Sequence, residues 1–213
     1  MRILAALLGL ASVMSLACGS RAPVGAGPSA TAAPTASPAP SASLTADPQT
    51  VVRARAAAAV AAFRDRDFTA LAALAHPAKG VRFSPYAFVE VARHIVLDQA
   101  TLRQGFTNTR TYVWGFTDGK GDPIDTNVDG YYKRYIYNKD YAKAPTPAYD
   151  KRTGQGNSQD NSATAYPGAH IVEYYLPSTD PNTTLDWGAL RLVFEELSGT
   201  WYLVGVIHDE WTI

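Results

Sequence analysis

The stretch LRLVFEELSGTWYLVGVIHDEW, residues 190–211, decides the fold. Two runs rich in branched and aromatic residues flank Ser198-Gly199, a pair that suits a two-residue β-hairpin turn. That turn places Leu197 opposite Thr200. Counting back pairs Glu196 with Trp201, Phe194 with Leu203, Leu192 with Gly205 and Leu190 with Ile207 on one, largely apolar face. The other face then carries Glu195–Tyr202, Val193–Val204 and Arg191–Val206, suited to solvent, a partner or an adjoining loop. Because side chains alternate along a strand, Asp209 is expected with Ile207 and Trp211 on the apolar face. His208 and Glu210 are expected together on the mixed one, as a surface ion pair.

Working outward, AHIVEYYLP (169–177) reads as a third strand. RTYVWGFTDG reads as a strand with Arg110, Tyr112, Trp114 and Phe116 on one face. Between these lies a polar, turn-rich loop, 144–165, of the length at which loops often carry function. NVDGYYKRYIYNKDYAKA is expected to be helical, with Val128, Tyr132, Tyr135 and Ile136 on one side. Upstream, Asp47-Pro48 signals a helix start, and QTVVRARAAAAVAAFRDRD aligns Val52, Ala56, Ala59 and Phe63 on one stripe. Asp67 caps a second helix, FTALAALA, which must stop at His76-Pro77 because a residue before proline avoids the helical region. His76 is expected to contact the last carbonyls of that helix. Asp98 starts a short helix over 98–106, and VRFS is extended after a turn at Gly80.

The chain has 213 residues, nineteen basic and nineteen acidic side chains, and one cysteine. Balanced charge removes the electrostatic case for nucleic acid, and one cysteine forms no intramolecular disulfide. The N-terminus, MRILAALLGLASVMSLACGS, places Arg2 before an apolar run too short to span a membrane comfortably but suited to a signal-peptide core. SLAC resembles the lipobox of bacterial lipoproteins, in which the cysteine receives palmitate-type acyl chains and becomes the first residue. The alternative is an ordinary secretory signal; the position of the one cysteine favours the lipid anchor. Residues 22–46, APVGAGPSATAAPTASPAPSASLTA, have no charge and no aromatic, so they cannot bury enough surface to fold. As a flexible coil they would span roughly 25–30 Å. The organisation expected is a signal peptide over 1–17, a lipidated Cys18 with tether over 18–47, and one domain over 48–213. Location follows as the bacterial cell envelope, outside the cytoplasm and anchored to the membrane through Cys18.

RDRDFTALAALAHPAKGVRFSP, followed by three long strands ending in WYLVGVIHDEW, resembles the nuclear-transport-factor-two-like superfamily. Ketosteroid isomerase, limonene-epoxide hydrolase and polyketide cyclases belong to it. VRFSPY and VGVIHDEWTI also resemble bacterial lipoproteins that carry such a domain, a resemblance that names no activity. It implies an α+β, cone-shaped fold, with N-terminal helices packed on a curved, mainly antiparallel sheet that encloses a pocket. In that setting Asp209 becomes the candidate general base, and Tyr112, Trp114, Tyr132, Tyr135 and Trp211 the candidate pocket lining. The superfamily hosts enzymes, binders and interaction modules alike, so fold alone decides no function.

Other motifs carry little. DTNVDG (125–130) opens like an EF-hand loop but has Ile136 where a bidentate Glu is required, so a turn and helix cap is the better reading. His76, His94 and His170 lack zinc-site spacing, no GxSxG or phosphate-cradling glycine loop is present, and no metal or cofactor is implied. Arg82, Arg134 and Arg191 suit structural ion pairs. Three functions are therefore expected, in order: a non-catalytic domain binding a small apolar ligand or an envelope protein; a hydrolase or isomerase using Asp209 with a tyrosine; and a homodimer through the sheet face around Arg191, Tyr202 and Val204.

Overall fold

The computed structural model describes residues 47–212, so the expected signal peptide, the expected lipidation at Cys18 and the expected tether up to residue 46 lie outside the described residues. Leu44–Ile213 separates as a compact unit, and every described core residue belongs to it; this segment folds around its own core. Asp47 caps α1 (Pro48–Arg64), its carboxylate accepting from the Thr50 amide at 3.2 Å, and Val52, Ala56, Ala59 and Phe63 are buried along one stripe. Asp67 caps α2 (Phe68–Leu74) by accepting from the Ala70 amide at 2.8 Å, and Asp98 caps α3 (Gln99–Gln104) in the same way. Each cap satisfies an amide that the helix itself cannot. The helix expected over 98–106 is completed by a tighter turn at Gly105–Thr107.

The strands are β1 (Val81–Ser84), β2 (Val96–Leu97), β3 (Tyr112–Phe116), β4 (Pro123–Thr126), β5 (Ala148–Tyr149), β6 (His170–Leu176), β7 (Gly188–Leu197) and β8 (Thr200–Glu210). β3 and β4 form a two-stranded ribbon; the others form a six-stranded sheet in the order β2-β1-β8-β7-β6-β5. All neighbours in it are antiparallel except β1 and β8. The fold is therefore α+β with a mainly antiparallel sheet. Two short helices, α4 (Val128–Tyr131) and α5 (Ser162–Ala165), complete the description, and α4 runs on as a wider π-helical turn over Tyr132–Ile136. Asn127 caps α4 by accepting from the Gly130 amide, which is the turn-and-cap reading of DTNVDG.

The hairpin turn is as expected, with Ser198 and Gly199 at φ of 52° and 80°, and Leu197↔Thr200 through Phe194↔Leu203 are paired. Beyond them the register departs from the arithmetic. Val193 pairs with Gly205, Leu192 with Val206, Arg191 with Ile207 and Leu190 with His208. Val204 is the extra residue of a β-bulge, and from there every β8 side chain changes face. Asp209 and Ile207 do share a face, but it is the one with Arg191. His208 points to the helix side and is fully buried, not at the surface. The residue after the bulge is bare for a tertiary reason: a Cβ at Gly205 would lie 2.6 Å from the Tyr166 hydroxyl, so Tyr166 from the loop rests directly on the strand.

Both sheet faces are buried. The helix side packs Leu190, Leu192, Phe194, Leu203 and Val206 against Phe63 and Leu71 in the main core. The outer side packs Val193, Val204 and Ile207 against Tyr166 and Val89. Of the three possibilities for the mixed face, the adjoining loop is the one that covers it.

Candidate functional site

The aromatic candidates separate. Trp114 stacks on Tyr131 with centroids 4.0 Å apart, meets Phe83 edge-on at 5.8 Å and donates from Nε1 to the Thr126 carbonyl at 2.9 Å. Tyr132 donates to the Phe63 carbonyl at 2.6 Å, and Tyr135 meets Tyr131 and the His208 ring. Trp114, Tyr132 and Tyr135 are thus buried members of the helix-side core, with their polar tips largely committed to the protein. Tyr112 is half-buried and lines a shallow depression with Arg110. Trp211 is 39 % exposed, beside Tyr86 and Arg134. Within the same core His208 donates from Nδ1 to the Pro85 carbonyl at 2.9 Å and faces Asn138 through Nε2. Burial pushes its pKa down and favours the neutral ring.

Asp209 belongs to a different construction. On the outer face Arg191 of β7 is paired directly across from Glu173 of β6, and the bulge brings Asp209 of β8 alongside. All three are at most 2 % exposed. Arg191 Nη2 lies 2.5 Å from Asp209 Oδ2 and Nη1 lies 2.9 Å from Asp160 Oδ2. Arg152 donates to the same Asp209 oxygen at 2.8 Å. Glu173 Oε1 accepts the Thr153 and Gly154 amides at 2.7 and 2.8 Å. Burial raises the Glu173 pKa, opposed by those two amides and by Arg191. At Asp160 burial works upward too, but the Arg191 charge and the Ser162 amide outweigh it and hold the carboxyl below its ordinary value.

This geometry bears on the general-base expectation for Asp209. The carboxylate is buried, not solvated at a rim, and one of its oxygens is engaged by two guanidinium groups. Arg191 and Asp160 of this cluster line a cavity of about 310 Å³ between the sheet and residues 150–166, together with Lys151, Arg152, Tyr166 and Ile171. Several buried polar atoms of this region make no hydrogen bond among the described residues: Arg152 Nε, Tyr166 Oη, Asp209 Oδ1, Glu173 Oε2, and Arg191 Nε and Nη1 beside their carboxylates. Sequence reasoning placed Arg191 as a paired structural residue but missed Arg152, Asp160 and Glu173. Only the alternation of Glu173 and Arg191 within apolar strands marked them.

Two further placements differ from expectation. His76 Nδ1 accepts from the amides of Ala78 and Lys79, at 3.1 and 3.0 Å, and so caps the following turn in place of the helix end. Arg191, expected on a face open to a second copy, is covered by its own chain. Among the described residues no group of three His, Cys, Asp or Glu side chains is arranged to hold a metal ion.

No family model matches this sequence, and no curated protein matches it. A solved structure titled Rd1NTF2_05, with five substitutions appended to its title, aligns over 76 % of this chain and 97 % of its own, at 10 % identity and a TM-score of 0.31. A superposition of that quality carries no argument, so the α+β class stands on the elements described above.

Proposed function

We propose that this is an exported, lipid-anchored domain of the bacterial cell envelope that binds a small polar ligand without transforming it, in the cavity beneath residues 150–166. The anchor rests on the signal-like N-terminus and Cys18; the tether would let the domain stand off the membrane. One observation carries the binding reading: a cavity of about 310 Å³ set against buried charges, with unpaired donors and acceptors around it. Buried polar atoms are nearly always satisfied, so a ligand offering both an acceptor and a donor would complete Arg152 Nε and Tyr166 Oη, both on residues that line the cavity. Strand β7 holds Arg191 and the bond to Asp209 holds Arg152, which lowers the ordering cost of binding.

Thermal melting of segment 44–213 against a library of polar metabolites, lipids and cell-wall fragments tests this reading, because a compound that binds only the folded state raises the melting point. A dose-dependent rise that disappears in Ile171→Trp, which fills the cavity, supports it. A flat response throughout counts against it. The anchor is tested separately: Cys18→Ser in the full chain should move the protein from the membrane fraction to the soluble one.

A further inference from the structure

A second concave surface lies on the other side of the Pro85–His94 segment. Phe88 follows β1, Phe116 ends β3, and Trp211 follows β8, and they are 46 %, 40 % and 39 % exposed. Phe88 and Phe116 line an open basin of about 460 Å³ with His94 and Asn157. Trp211 lines a neighbouring one of about 240 Å³ with Arg134 and Glu210, and both basins include Tyr86 and Asp118. Asn157 donates to the Thr212 carbonyl at 2.5 Å, and the Thr212 hydroxyl bonds the Asp118 carboxylate, so the junction is fixed by side chains.

His94 supplies the deciding detail. It is only 6 % exposed, and its Nδ1 accepts the Glu90 amide at 3.2 Å with the Ser84 hydroxyl at 2.9 Å. Burial, aided by Arg82, lowers its pKa to about 4, which keeps the ring neutral. A neutral imidazole with Nδ1 accepting carries its proton on Nε2. That N–H lies beside Gly115, has no protein acceptor, and belongs to the floor of the larger basin.

We propose that the groove from Phe88 and Phe116 past Tyr86 to Trp211 binds an uncharged oligosaccharide strand. Exposed ring faces carry the negative side of an aromatic quadrupole and meet the C–H face of a sugar well. Arg134 is paired with Glu210 and Arg93 with Glu90 at 3.2 Å, and Asp118 at the junction is bonded to the Thr212 hydroxyl, which leaves no free cation for an anionic partner. An apolar peptide would bury the His94 donor and the Gln159 amide unsatisfied, at a cost; sugar hydroxyls both donate to and accept from such groups. Two open basins joined end to end suit an extended chain of several rings. This site is separate from the cavity beneath residues 150–166, and either proposal can fail without the other.

The test is calorimetric titration of segment 44–213 with the hexamer and the trimer of β-linked N-acetylglucosamine and of β-linked glucose. An eight-residue leucine-rich peptide is the contrast. One hexamer should bind, more tightly than its trimer. Phe88→Ala combined with Phe116→Ala should weaken it at least tenfold without lowering the melting point, since both rings are exposed. Trp211→Ala should erase the advantage of hexamer over trimer. The proposal is overturned if neither hexamer binds at several millimolar, if binding survives the double ring deletion, or if the peptide binds in the groove and the sugars do not.

Discussion

The two faces of the six-stranded sheet are both covered over its middle strands but built from different chemistry. On the helix side Leu190, Leu192, Phe194 and Leu203 meet regular helices whose backbone groups bond internally. On the outer side an irregular segment crosses the sheet, and its backbone groups need partners that no ladder provides. The sheet supplies them as side chains. Glu173 takes the Thr153 and Gly154 amides, and within the cover Asn161 clamps Val89 by accepting from its amide at 2.7 Å and donating to its carbonyl at 3.0 Å. Charge on a buried strand face is what an irregular cover requires. The largest expected effect follows. Arg191→Ala removes the one guanidinium shared by Asp209, Asp160 and Glu173, leaving Asp209 to Arg152 and Glu173 to its two amides, a loss of about 3 kcal/mol, the lower end for breaking a buried pair. Urea denaturation measures it, and a loss below ~1 kcal/mol would make the network dispensable.

Acidification sharpens the comparison through His94, whose partner Ser84 lies on the outer face. Its folded pKa is about 4 against an ordinary 6.5. The sign is that of a buried neutral histidine: its contribution is present above 6.5 and is lost as pH falls toward 4. At ~1.4 kcal/mol per unit the upper figure is about 3 kcal/mol. Burial of His208 acts in the same direction. Glu173 acts oppositely: its raised pKa contributes stability below the ordinary glutamate value that is lost as pH rises through the raised one. Stability of wild type and His94→Gln should therefore diverge between pH 7 and pH 4, with the variant flatter. Parallel profiles would show that His94 titrates normally.

Next in size is the bulge. Deleting Val204 would convert the hairpin to a regular ladder while keeping the pairs from Gly205↔Val193 to Glu210↔Gly188. The cost should be mainly the lost burial of one valine, about 1.5–3 kcal/mol, with Asp209 still beside Arg191. Amide exchange along β8 reads this out. Loss of protection beyond position 205 would show that the bulge also sets the strand's twist.

That residue also marks where the sequence stopped being readable. Caps at Asp47, Asp67 and Asp98, the turn at Ser198-Gly199 and the first four hairpin pairs follow from local chemistry, and they are present. The bulge sits where Tyr166 lies on Gly205, a contact between residues 39 positions apart that no period announces. One unforeseen residue turned Asp209 from a candidate base on an apolar wall into a partner of Arg191, and His208 from a surface ion into a buried neutral ring. Arg152 and Asp160 sit in a segment of turn formers, where neither helical nor strand spacing marks a side chain as buried. Trp114, Tyr132 and Tyr135 were legible as inward-facing, but whether inward rings line a cavity or fill it depends on their packing with Tyr131 and Phe83.

The smallest expected effect isolates burial from charge. Lys79 and Glu195 form an ion pair on the same outer face as Arg191, four residues along β7, but the Lys79 side chain is 59 % exposed where that of Arg191 is 2 % exposed. Water screens the first pair, and holding a lysine chain in place costs entropy, so such pairs contribute about 0–1 kcal/mol. Lys79→Ala should leave stability nearly unchanged, and the little it removes should vanish at 1 M salt, where screening acts within ~3 Å. Arg191→Ala should keep most of its penalty in the same buffer, because salt does not reach a charge beneath the loop. If both variants respond alike to salt, residues 150–166 do not exclude water. The outer face would then be an ordinary solvated surface, and the cavity proposed beneath the loop would lose its physical basis.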